Sequence, residues 1–135
     1  MKRYIRTLSL FLFISFAFTQ TQLGDDIDGE AAIDASGCSF SMNSAGDRVA
    51  IGAPWNDGTA TNAGHVRVYE YSNSSWTQIG SDIDGEAASD GSGISVSMNS
   101  AGDRVAIGAV GNDGTGADAG HARIYQLNPL NTNQE

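Results

Sequence analysis

Beyond its first twenty residues the chain alternates apolar and polar positions with a period of two and shows no helical period. Alternation of this kind predicts half-buried strands. Cys38, Phe40 and Met42 alternate with Ser39, Ser41 and Asn43, and the SAGD that follows predicts a turn. Val49, Ile51 and Ala53 then alternate with Ala50 and Gly52. After a glycine-rich connection, Val66 and Val68 alternate with His65, Arg67 and Tyr69, and residues 76–79 form a fourth run. Clusters of Gly, Asn, Asp and Ser separate the runs, as short turns require. The small residues Ser39, Ser41, Ala50 and Gly52 suit a crowded sheet face.

The pattern is written twice. SMNSAGDRVAIGA at residues 41–53 recurs letter for letter at 97–109, an offset of 56 residues (41 to 97). At the same offset TQLGDDIDGE (21–30) returns as TQIGSDIDGE (77–86), NDGT (56–59) returns at 112–115, and GHVRVY (64–69) returns as GHARIY (120–125). A tandem copy predicts two supersecondary units, each completing its core against its neighbour. Four short strands in one such unit is the content of a propeller blade, since blade repeats run roughly 40 to 50 residues. The expected fold class is all-β: two tandem four-stranded antiparallel propeller-like blades, a partial β-propeller, following a signal peptide. The expected boundaries are 1–20 for the signal, 21–76 and 77–128 for the two units, and 129–135 for a disordered tail.

The signal is read from Lys2, Arg3 and Arg6, followed by the apolar run LSLFLFISFAF at residues 8–18 and polar residues from Thr19. Such a run is too short for a bilayer span of about 20 residues, and the basic, apolar, polar order is that of a secretory leader. The expected localisation is secreted or at the extracellular surface, with no membrane insertion after cleavage. Removing the leader leaves four arginines and no lysine against sixteen acids, a net charge of −12 in place of −9. That surface repels phosphate backbones and anionic headgroups, so nucleic acid is not an expected partner. The lone cysteine, Cys38, has Ile94 as its copy, which predicts a buried thiol packed as a small apolar side chain.

Taken together, three segments carry a family resemblance: Gly37 to Phe40, Ile51 to Pro54 and Gly64 to Tyr69, with Gly93 to Val96, Ile107 to Ala109 and Gly120 to Tyr125 in the second copy. In this order they resemble the FG-GAP type repeat of integrin alpha-subunit propellers, and more closely its variant in secreted bacterial proteins. The resemblance implies a secreted, non-enzymatic interaction module used in adhesion or in binding extracellular protein or polysaccharide. It leaves open an accessory propeller segment of a larger extracellular hydrolase, and a structural surface protein. Calcium-binding members of that family use an aspartate-rich loop between the first two strands. Here that loop is NSAGDR, and Asn43 with Asp47, or Asn99 with Asp103, offers too few oxygens for the six to eight ligands of calcium. No metal site is therefore expected and no cofactor, with calcium left open although the family's calcium loop is not preserved.

Acid gathers elsewhere. Asp26, Asp28 and Glu30, copied as Asp82, Asp84 and Glu86, precede the first strand of each unit; Asp57 and Asp113, with Asp118, lie between the second and third strands. In an up-and-down sheet both connections emerge at one end, which makes that end the candidate ligand-binding face, with Trp55 as an aromatic contact. The competing reading is that Asp-Gly and Asn-Asp pairs only build turns. His65 and His121 each lie two residues before an arginine, without a second His or Cys at ligand spacing, and are read as packed structural residues. No catalytic residue is marked out. Propellers need four to eight blades, so two units imply further blades from a longer chain or a homo-oligomer.

Overall fold

The computed structural model describes residues 19–128; the expected signal peptide and the tail at 129–135 lie outside the described residues, the former but for Thr19 and Gln20. Among the described residues the fold is all-β, with no helix and eight strands in two antiparallel sheets. The first sheet holds β1 (Ser39–Met42), β2 (Arg48–Ala53), β3 (His65–Ser72), β4 (Ser75–Gln78) and β5 (Ile83–Asp84). The second holds β6 (Ser95–Met98), β7 (Arg104–Ala109) and β8 (His121–Gln126). Both are meanders, ordered β1-β2-β3-β4 and β6-β7-β8.

The two units keep one register. Ser41 pairs with Ala50 and Ile51 with Arg67, and 56 positions on Ser97 pairs with Ala106 and Ile107 with Arg123. Each β1–β2 type turn is closed by an asparagine. Asn43 Oδ1 accepts from the Asp47 and Arg48 amides at 3.1 Å, while its Nδ2 donates to Asp47 Oδ1 at 2.7 Å. Gly46 takes the positive φ of 75° that the turn needs. The carboxylate of Asp47 is thus a turn brace.

The sheets differ in width from the four strands expected of each. In the first, the edge of β3 is covered by two pieces of the segment that precedes the first strand of the second unit, β4 on residues 69–72 and β5 on His65 and Val66. Gly80, at φ 76°, lies between those pieces. The second sheet has three strands, because no counterpart of β4 or β5 follows β8 among the described residues.

The sheets pack face to face. Ala50, Val66 and Val68 of the first meet Met98, Val105 and Ile107 of the second in one buried cluster. The small face of β1 and β2 lets them approach closely: Ser39 Oγ donates to the Gly93 carbonyl at 2.7 Å, and Ser41 Oγ accepts from the Met98 amide at 2.9 Å. A Cβ on Gly52 would lie 2.1 Å from the Gly93 carbonyl oxygen, so a glycine is required there. Alternation therefore sends Phe40 and Met42 to the opposite face, where both are exposed. Cys38, at the start of the same face, is exposed as well, which corrects the expectation of a buried thiol. Among the described residues no sheet covers that face, whereas the copy, Ile94, is half-buried between the units.

Candidate functional site

The long connections do share one end of the sheets. β2 ends and β3 begins there, with Ala53 paired to His65, and β5 lies beside them with His65 paired to Asp84. The NDG segment builds the β2–β3 loop. Asn56 Oδ1 accepts from the Gly58 amide at 2.8 Å, and Asp57 Oδ1 accepts from the Asn62 amide at 2.7 Å. In the copy, Asn112 accepts from Gly114 and Asp113 Oδ1 accepts from the Asp118 amide at 2.7 Å. Asp57 and Asp113 thus close their own loops, and Asp118 stands at a positive φ of 49°.

Two acids outside the candidate set anchor these loops from below. Asp34 and Asp90 are buried, and their Oδ2 atoms accept from Asn56 Nδ2 (2.9 Å) and Asn112 Nδ2 (3.1 Å). Asp90 also accepts from the Glu86 and Ala87 amides at 3.1 and 3.0 Å. Burial pushes the Asp90 carboxyl up, but the Asn112 side chain, the two amides and nearby His121 together outweigh it and hold the group below its usual range. Their recurrence at the 56-residue offset was the signal that could have found them.

Glu30, His65 and Asp82, which come from the segment before β1, the start of β3 and the segment between β4 and β5, meet in a polar node. His65 is 1% exposed, and its Nδ1 lies 3.8 Å from Glu30 Oε2 and 3.7 Å from Asp82 Oδ2. Arg67 places Nη1 3.6 Å from Glu30 Oε1 and donates from Nη2 to the Asp28 carbonyl at 2.7 Å. Its guanidinium lies over the Tyr69 ring at 5.6 Å. Burial lifts the Tyr69 hydroxyl above its usual range, Arg67 offsets part of that, and Asp82 and Glu30 add to it. Among the described residues the second unit repeats the node without its third member: His121 Nδ1 lies 3.8 Å from Glu86 Oε2, Arg123 Nη1 lies 3.3 Å from Glu86 Oε1, and Arg123 donates to the Asp84 carbonyl.

Glu30, His65 and Asp82 bring three ligand-type atoms within 4.8 Å of one another. One imidazole and two carboxylates fall well short of the six to eight oxygens of calcium and are closer to a zinc donor set. Arg67 supplies a cation to Glu30, whereas Asp82 faces His65 and the buried His65 Nε2 has no hydrogen-bond partner among the described residues. Asp26 and Asp82 are held outside this pairing by glutamines: Gln22 Nε2 donates to Asp26 Oδ1 at 2.8 Å and Gln78 Nε2 to Asp82 Oδ1 at 2.7 Å.

Trp55 is 53% exposed, although its amide is fixed by the Asp34 carbonyl at 3.3 Å. It borders a cleft of about 240 Å³ between the two units, lined also by Pro54, Asn62, Ser89, Ile94 and Val110. Ile33, next to Asp34, is exposed and sits at φ 77°, a rare conformation for a β-branched residue. Trp76 is structural: its ring packs against Tyr71 with centroids 5.1 Å apart, and Nε1 donates to the Leu23 carbonyl at 2.8 Å. No protein-family model, no curated protein and no solved structure matches this chain.

Proposed function

We propose that the chain is a secreted, non-enzymatic interaction module of β-propeller type, built of FG-GAP-like units, that binds a neutral extracellular polysaccharide at the cleft beside Trp55. The observation that carries this reading is the half-exposed indole of Trp55 at the loop end, next to the exposed Val110 and the polar side chains of Asn62 and Ser89. An aromatic face held on a rigid loop takes the C–H face of a sugar ring, while neighbouring amide and hydroxyl groups take its hydroxyls. Binding fits better than catalysis because no titratable side chain among the described residues lines the cleft. The carboxylates of Asp57, Asp113 and Asp118, in the loops that follow Trp55 and Val110, disfavour polyanions, which selects neutral or cationic polymers. Export of the chain is part of the same proposal and rests on residues 1–20.

The test is retention of the full chain on a panel of insoluble neutral, amine-bearing and sulfated polysaccharides. Retention on a neutral polymer is expected, and Trp55→Ala is expected to weaken it about tenfold or more, the effect of losing a central aromatic anchor. Asp57→Asn serves as a comparison that alters charge at the loop without touching the indole. Equal retention of wild type and Trp55→Ala would end the proposal, as would retention on the sulfated polymers alone.

A further inference from the structure

The two outward faces of the molecule are copies of the two faces that meet inside it. Within the chain, the first sheet presents Ser39, Ser41, Ala50, Val66 and Val68 to the second, and the second answers with Val96, Met98, Val105 and Ile107. At the 56-residue offset, the outer face of the second sheet carries Ser95, Ser97, Ala106, Ala122 and Ile124. The outer face of the first carries Phe40, Met42, Val49 and Ile51. Ile124 is 74% exposed where its counterpart Val68 is 2% exposed, and Phe40 is 70% exposed where Val96 is half-buried. Each outward face thus has the residue pattern of one half of the internal interface, and the two halves lie on opposite sides of the chain.

We propose that a second copy of this chain docks head to tail, seating its Phe40–Met42 face on the Ile124 face of the first, in the geometry that already joins the two sheets. Such an interface is heterologous, so successive copies extend into a closed ring or a fibre according to the rotation between them. The polar residues agree with the apolar ones. Among the described residues His121 and Glu86 lack the third member that Asp82 supplies to His65 and Glu30. The residue at the Asp82 position of an incoming copy is Asp26, and it already makes the glutamine contact that Asp82 makes. The incoming residues 19–22 and 27–28 are likewise the counterparts of β4 and β5, which cover β3. The edge of β8 away from β7 is free to take them among the described residues. Docking therefore completes a sheet edge, an apolar core and the Glu86–His121–Arg123 node together.

The experiment is light scattering after size exclusion on the full chain, over a concentration series to about 100 μM, with two variants that each block one face, Phe40→Asp and Ile124→Asp. Both positions are exposed in the single chain, so the melting of either variant alone reports an unchanged fold. Wild type is expected to assemble beyond the dimer. Each variant alone is expected to be a monomer, with association weakened about tenfold or more. A mixture of the two is expected to form a 1:1 dimer and stop there, because one native pair of faces remains. Asp26→Asn is expected to weaken wild-type assembly and Asp82→Asn to leave it unchanged. A monomeric wild type would overturn the proposal. So would assembly that persists in either face variant alone, which would place the contact elsewhere, and a mixture that fails to dimerise. None of these outcomes depends on polysaccharide binding at Trp55.

Discussion

At the scale of single residues, the acids divide by what their oxygens face. Asp57 and Asp113 accept from amides of their own loops, and Asp34 and Asp90 accept from the asparagines that begin those loops. Glu30 and Glu86 face an arginine and a histidine instead. Asp90 makes the division testable. Its folded carboxyl lies below the usual value near 3.9, so the unfolded chain binds its proton first as pH falls. The stabilisation is fully present above about pH 4 and is lost as pH drops through the folded value. Asp90→Asn keeps an acceptor oxygen but removes the charge, and is expected to cost about 1–3 kcal/mol at neutral pH. The gap between wild type and variant should narrow at pH 3 in denaturant titrations; a gap equal at both pH values would mean that the charge contributes nothing.

At the scale of the element, the strands were legible because a two-residue period marks both their existence and their sidedness. Residues 39–42, 48–53 and 65–72 form strands where the alternation is, and the turns fall at SAGD and SNSS. What the period does not say is which of its two faces is covered. The small face of β1 is the buried one, and the large apolar side chains Phe40 and Met42 point away from the second sheet. Cys38 follows Phe40 for that reason. The close approach at Gly52 yields a paired prediction. Gly52→Ala places a methyl 2.1 Å from backbone and is expected to destabilise by about 1–3 kcal/mol or more through forced separation of the sheets. Gly108→Ala, its copy, meets first the Ser95 hydroxyl at 2.3 Å, a side chain that can rotate, and is expected to cost less. Thermal melts of the two variants compare them directly.

At the scale of the whole molecule, two nearly identical units have unequal surroundings, and identical chemistry has unequal consequences. Val68→Ala removes two methyl groups from the buried cluster and is expected to cost about 1–3 kcal/mol. Ile124→Ala, at the equivalent place, is expected to change the stability of the dilute single chain by less than about 0.5 kcal/mol. Equal losses in urea titrations at low concentration would show that the second sheet is covered in a way the single chain does not provide.

The sequence by itself determined the all-β class, the two units, their turns and the end of the sheets from which the acidic loops emerge, because strand period, turn residues and a tandem repeat are all local or periodic signals. The small residues of β1 and β2 hinted at the crowded face, but the tertiary structure decided that the larger apolar face of the first sheet is left uncovered among the described residues, since that follows from where the neighbouring unit lies. It also brought Glu30, His65 and Asp82 together from three separate segments and set Trp55 on the rim of a cleft between units. The difference between a buried Val68 and an exposed Ile124 is of the same kind: burial depends on the partner that packs on a residue, and the second unit has none on its outer side among the described residues.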